Sequence, residues 1–116
     1  MNEKDFQQQV ISIARMYGWK VQHTRAVQMA SGRWATPIQG EAGFPDLVLV
    51  KSNHDGRGGV IFAEIKTDLG RVQDHQKAWI AALNGAGAEC YVWRPTDLLN
   101  ISHRLSALSS HVKVNQ

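Results

Sequence analysis

Residues 43–50 read G-F-P-D-L-V-L-V and residues 60–66 read V-I-F-A-E-I-K. Both are almost continuously apolar, as expected of strands covered on both faces. The connector S-N-H-D-G-R-G-G at 52–59 has Asp55-Gly56 near its middle, so an antiparallel hairpin is the simplest join. Polar side chains occur only at the outer ends of the two runs: Asp46 on one, Glu64 and Lys66 on the other. A turn centred near residue 55 or 56 sets Asp46 opposite about residue 65. Asp46 then lies within about 5 to 8 Å of Glu64 and Lys66.

Glu64 and Lys66 are two apart on one strand and leave the same face, while Ile65 points the other way into the core. Asp46, Glu64 and the Ile65 backbone carbonyl make an all-oxygen set suited to a hard cation, Mg²⁺ or Mn²⁺. Such an ion polarises a phosphoryl oxygen and acidifies a bound water. Lys66 is placed to orient that water or to neutralise charge on the phosphorane. A plainer account also exists. Asp after Pro is a common turn residue, and Glu-x-Lys on a strand can be an ordinary solvated pair. Convergence favours the site, because two helices each aim a polar side chain inward.

The first of these helices spans 2–17. Phe6, Val10, Ala14 and Tyr17 recur at helical spacing, Asn2 is the expected N-cap and Gly18 the expected stop. Glu3 shares the stripe of Phe6, Val10 and Ala14, whereas Asp5 points away. Glu3 either faces the site or simply favours the N-terminal end of the helix dipole. The second helix spans 72–83, ended by Asn84-Gly85. Gln76 interrupts its stripe of Val72, Trp79 and Leu83.

Strands are expected at 19–24 and 88–93. A last helix is expected from a Thr96-Asp97 cap to about residue 108, with Leu98, Ile101, Leu105 and Leu108 as its apolar face. The tail 111–116 is expected to fray. The order helix, three strands, helix, strand, helix gives an α/β chain with a mixed sheet and helices on both faces. Residues 25–43 lack periodicity and contain Gly32, Pro37, Gly40 and Gly43. A loop of that length is usually functional or disordered. Arg25, Arg33 and Trp34 within it suit a phosphate backbone and a stacked base, and Arg71 adds a cation just before the second helix.

At 116 residues the chain is read as one domain, 1–116. Its 43% hydrophobic and 20% charged residues suit a soluble globular protein and exclude a disordered tail. A net charge of +3 permits phosphate binding without arguing for it. The apolar runs are far short of the roughly 20 residues of a spanning helix, and the polar start M-N-E-K-D-F shows no signal peptide. A lone Cys90 is compatible with a reducing cytoplasm and excludes an internal disulfide. No second cysteine or close histidine pair supports zinc, and G-R-G-G at 56–59 lacks the Lys-Ser/Thr end of a P-loop.

E-K-D-F-Q-Q-Q-V, G-W-K-V-Q-H-T, G-F-P-D-L-V-L-V, F-A-E-I-K and Q-K-A-W-I-A-A-L-N-G-A-G-A-E-C-Y-V-W-R-P follow one another in this order. The ordered set resembles the stand-alone VRR-NUC domain proteins of phages and bacteria, a branch of the PD-(D/E)XK nuclease superfamily. The resemblance covers nearly the whole chain. It implies a restriction-endonuclease-like αβββαβ core, here with an extra C-terminal helix, and a Mg²⁺- or Mn²⁺-dependent nuclease. It implies that Asp46, Glu64 and the Ile65 carbonyl hold metal and that Lys66 is the catalytic lysine. Glu3 and Gln76 match the family's polar residues beside the site, Glu3 as a further possible metal ligand. Stand-alone members are associated with homodimers and with cleavage of branched DNA, including Holliday junctions. Two departures stand out. Gln73 occupies a position where the family often has Ser or Thr, and the 25–43 loop is longer and more polar than the family's link. The rival readings are a non-catalytic DNA-binding module of the same fold and a nuclease acting on flaps, linear DNA or RNA.

Overall fold

The computed structural model describes residues 1–24, 27–28, 30–35, 40–53 and 56–106. In chain order the elements are α1 (Glu3–Met16), β1 (Lys20–His23), β2 (Val27–Gln28), β3 (Trp34–Ala35), β4 (Leu47–Lys51), β5 (Gly59–Ile65), α2 (Asp74–Gly85), β6 (Glu89–Trp93) and α3 (Leu98–Leu105). A 3₁₀ turn, Pro95–Asp97, leads into α3. The main sheet runs β1-β4-β5-β6. β4 pairs antiparallel with both β1 and β5, and β5 pairs parallel with β6 across the α2 crossover. This is the restriction-endonuclease-like αβββαβ order with an additional C-terminal helix.

The β4–β5 hairpin has the expected register to within one residue. Leu47 faces Ala63, so continuing the ladder sets Asp46 opposite Glu64. Period-two alternation then divides the sheet. Leu47, Leu49, Ile61, Ala63 and Ile65 face α1 and α3 and form one buried core with Phe6, Val10, Ala14, Ile101 and Leu105. Phe62 and Glu64 face α2 instead, where Phe44 meets Phe62 and Trp79 edge-on at 5.9 and 5.0 Å between ring centroids.

A 14-residue helix is marginal alone. Burying Phe6, Val10, Ile11 and Ala14 fixes α1, each large side chain contributing about 1.5–3 kcal/mol. Asn2 caps it by accepting the Asp5 N–H at 2.8 Å. Its far end closes as a Schellman motif: Gly18 has φ +89°, and the Gly18 and Trp19 N–H groups donate to Arg15 and Ala14. Trp19 then donates its indole N–H to the Leu105 carbonyl at 3.0 Å, tying the end of α1 to the end of α3.

Several boundaries differ from expectation, beginning with α2, which starts at Asp74 and not at residue 72, so that Val72 lies ahead of the helix. α2 runs through Gly85, because its stop is Gly87 at φ +89°, with the Gly87 and Ala88 N–H groups returning to Asn84 and Leu83. Asp97 accepts the Arg94 N–H at 2.9 Å and so stabilises the 3₁₀ turn rather than capping α3. Within 25–43, a two-stranded ribbon pairs Val27 with Ala35 and Gln28 with Trp34. Leu108 and the tail lie outside the described residues. No helix among the described residues is long and apolar enough to cross a membrane.

Candidate active site

Asp46 stands where three strands end together. Its Oδ2 accepts the Ile65 N–H at 2.8 Å, and its carbonyl accepts the Thr24 N–H at 3.3 Å. The preceding Gly-Phe-Pro explains this fixed entry. Gly43 has φ +98°, and a Cβ there would strike the His75 carbonyl of α2, so only glycine allows the segment to pass. Phe44 packs between sheet and helix, and Pro45 is fully buried.

Glu64 is 2% exposed, the one buried charged residue among those described. Its Oε2 accepts the Gln76 amide at 2.8 Å and lies 3.6 Å from Lys66 Nζ. Its Oε1 is buried and, with both acids ionised, has no donor to meet it; in the protonated form the carboxyl hydrogen-bonds Asp46 instead, which also raises it. Burial and then the neighbouring Asp46 charge push the Glu64 carboxyl up to about 8, against the opposing pull of Lys66. An orphaned buried oxygen next to a second carboxylate is costly in a protein alone. It is what a divalent cation would relieve, since an added positive charge favours both ionised acids.

Gln76 has a fixed orientation. Its Oε1 accepts the main-chain N–H of Gln73 at 2.8 Å, and that group can only donate. The amide nitrogen is therefore the atom turned to Glu64. Gln73 makes no side-chain cap of its own. Gln76 thus caps the helix from within and serves the site with the same side chain.

Glu3 sits at the open end of the α1 stripe and is exposed. Partial desolvation and then Asp46 raise its carboxyl, while Lys66 lowers it. The expected residues Asp46, Glu64, Lys66 and Gln76 are therefore brought together, with Glu3 beside them in their field. Among the described residues, no three His, Cys, Asp or Glu side chains gather as a metal cage. Two carboxylates and the main chain are the set at hand, which suits an ion that keeps several waters.

The expected DNA contacts do not gather in the same way. Arg33 is exposed in the turn of the ribbon, and Arg71 is exposed ahead of α2. Arg25 and the Trp34 side chain lie outside what the structure describes. Sequence reasoning missed Arg94. Its Nη1 donates to the carbonyls of Thr67 and Gly70, at 2.6 and 2.7 Å, and fastens the loop between Lys66 and α2. Its position beside Pro95 at a strand end was the available signal, but nothing in sequence joins residue 94 to residue 67.

Comparison with known proteins adds one finding. The family model for the VRR-NUC domain matches residues 4–96. No curated protein and no solved structure matches the chain significantly.

Proposed function

Because the chain belongs to the VRR-NUC domain family, a nuclease-type domain, we infer that it is a Mg²⁺- or Mn²⁺-dependent endodeoxyribonuclease. The observation that carries this reading is the buried pair of acids Glu64 and Asp46, in which Glu64 Oε1 has no donor once both are ionised, with a lysine 3.6 Å from the other Glu64 oxygen. Asp46, Glu64 and the Ile65 carbonyl would hold the cation, with Glu3 near enough to bias it electrostatically. When bound, a divalent cation supplies Lewis-acid polarisation of the phosphoryl group and a more acidic water.

The chain's own residues do the rest. Gln76 holds Glu64 in position, and the Ile65 N–H holds Asp46. Lys66, only 12% exposed, is shielded enough for its charge to act strongly on the phosphorane oxygens. Water adds to phosphorus and gives up a proton to solvent, the bond to the leaving sugar oxygen breaks, and that oxygen takes up a proton from solvent, so that none is gained or lost overall. Arg33 and Arg71 are proposed phosphate contacts, joined by Arg25 from the same loop as Arg33, with Trp34 of that loop proposed to stack on a base. The substrate is proposed to be branched DNA, cut by a homodimer, as the resemblance to stand-alone family members implies. Exposed Phe44, Val50 and Val60 on the α2 side of the sheet leave apolar surface available to a second copy.

The test is a panel of linear, flapped and four-way DNA, with matched RNA, in Mg²⁺, Mn²⁺ and chelator. Metal-dependent cutting that favours branched DNA is expected. Lys66→Ala should lose cleavage by about a hundredfold or more while keeping its circular dichroism spectrum. Full activity from that variant overturns the assigned mechanism. Light scattering at assay concentration should give twice the chain mass.

A further inference from the structure

Leu69 is 98% exposed, the most exposed large apolar side chain among the described residues. Single exposed leucines are common and need no explanation when they ride on a helix surface or a loose terminus. Leu69 does neither. It occupies the third position of a β-turn, Thr67 to Gly70, closed by the Gly70 N–H to Thr67 carbonyl bond at 3.1 Å. Arg94 Nη1 grips that turn from beneath through the carbonyls of Thr67 and Gly70, and the Thr96 N–H donates to Asp68 Oδ1 at 3.2 Å. A Cβ on Gly70 would come within 2.9 Å of Thr67 Oγ1, so the turn is also sterically tight. A rigid support therefore holds an apolar tip in water, where it contributes nothing to folding.

The placement gives this tip a role. Leu69 follows Lys66 by three residues, so its Cα lies within about 11 Å of the Lys66 Cα. With a rise of about 3.4 Å per base, that reach covers roughly three base steps from the scissile phosphate. Lys66 and Arg71 flank the tip with positive charge. The Asp68 carboxylate is turned back onto Thr96 rather than toward a phosphate.

We propose that Leu69 is a wedge that enters an opened base step beside the cut, so that the site selects DNA already unstacked at a branch. This rests on the nuclease reading above and names how its substrate is chosen. Wedging apolar side chains into base steps is a general device of proteins that kink DNA, and it works best where stacking is already broken.

The experiment uses full-length protein and four-way DNA carrying 2-aminopurine next to the branch, with Ca²⁺ for binding and Mn²⁺ for cutting. The unaltered protein should raise the fluorescence several-fold on binding. Leu69→Ala should abolish most of that rise and lower kcat/KM on the junction by roughly tenfold. It should leave thermal stability and single-strand cutting unchanged, and Leu69→Met should retain both signals. An equal fluorescence rise from Leu69→Ala overturns the wedge, as does equal loss from Leu69→Met. No cutting by the unaltered protein in Mn²⁺ overturns the nuclease reading instead, so the two failures are separable.

Discussion

Two groups favour the charged form of Glu64, the Lys66 ammonium and the Gln76 amide. The Gln76 N–H group is the neutral donor on Oε2, Lys66 stands farther off, and burial opposes both. Removing that amide in Gln76→Ala deletes two hydrogen bonds, because Gln73 also loses the acceptor for its N–H. A loss of about 1–3 kcal/mol in stability is expected, measurable by chemical denaturation. The charged form of Glu64 is then still less favoured, so the acidic limb of the pH–rate profile should move to higher pH. Cleavage should fall most near neutrality and recover partly above it. A uniform loss at every pH would assign Gln76 a purely structural part. Gln76 was legible in the sequence as one polar residue on an apolar stripe. Its double use was not, because that follows from where α2 begins, at Asp74, and helix starts are set by contacts that a single sequence does not display.

At the scale of elements, α2 is weakly anchored for a helix that carries a site residue. None of its side chains is fully buried. Besides lying against β6, it is attached through the Phe44–Trp79 contact, the Trp79 N–H to Glu41 carbonyl bond at 3.1 Å, and the Gln76 pair. The 43–46 segment slides beneath its first turn only because Gly43 has no Cβ. Gly43→Ala should therefore push α2 outward and strain φ, costing about 2–3 kcal/mol. Activity should drop sharply although Gly43 touches no reacting group, and melting curves beside cleavage rates would show both. Unchanged activity would mean that Gln76 keeps its place by other contacts. The sequence disclosed the β4–β5 hairpin to within a residue because its apolar runs end abruptly in Asp46 and Lys66. It misplaced the end of α2 because Gly85 resembles a stop, while Gly87 supplies the left-handed conformation that closes the helix. The β2–β3 ribbon has two residues per strand, too few for any period to register.

For the molecule as a whole, the packed face of the sheet supplies stability and the α2 face spends some of it on the site. Total stability of a domain this size is about 5–15 kcal/mol, so one badly placed carboxylate matters. Glu64 has an ordinary value of 4.5 and is raised to about 8 in the folded chain. The unfolded chain releases this proton first, so stability is fully present below about pH 4.5 and declines as pH rises toward 8. At about 1.4 kcal/mol per unit the upper bound is roughly 5 kcal/mol, with Glu3 adding a smaller effect of the same sign. In chelator, the melting temperature should fall between pH 5 and pH 8. Mn²⁺ binds the ionised pair, so it should protect more at pH 8 than at pH 5, by about 2.7 kcal/mol at a hundred times its Kd. Glu64→Gln has no such proton to lose. It should melt higher than the unaltered chain at pH 8 in chelator, show a flatter pH dependence, gain little from Mn²⁺ and fail to cut DNA. Melting curves at the two pH values, with and without Mn²⁺, decide the matter. An equal pH slope in Glu64→Gln would move the cost to another group, and equal Mn²⁺ protection would move the cation away from Glu64.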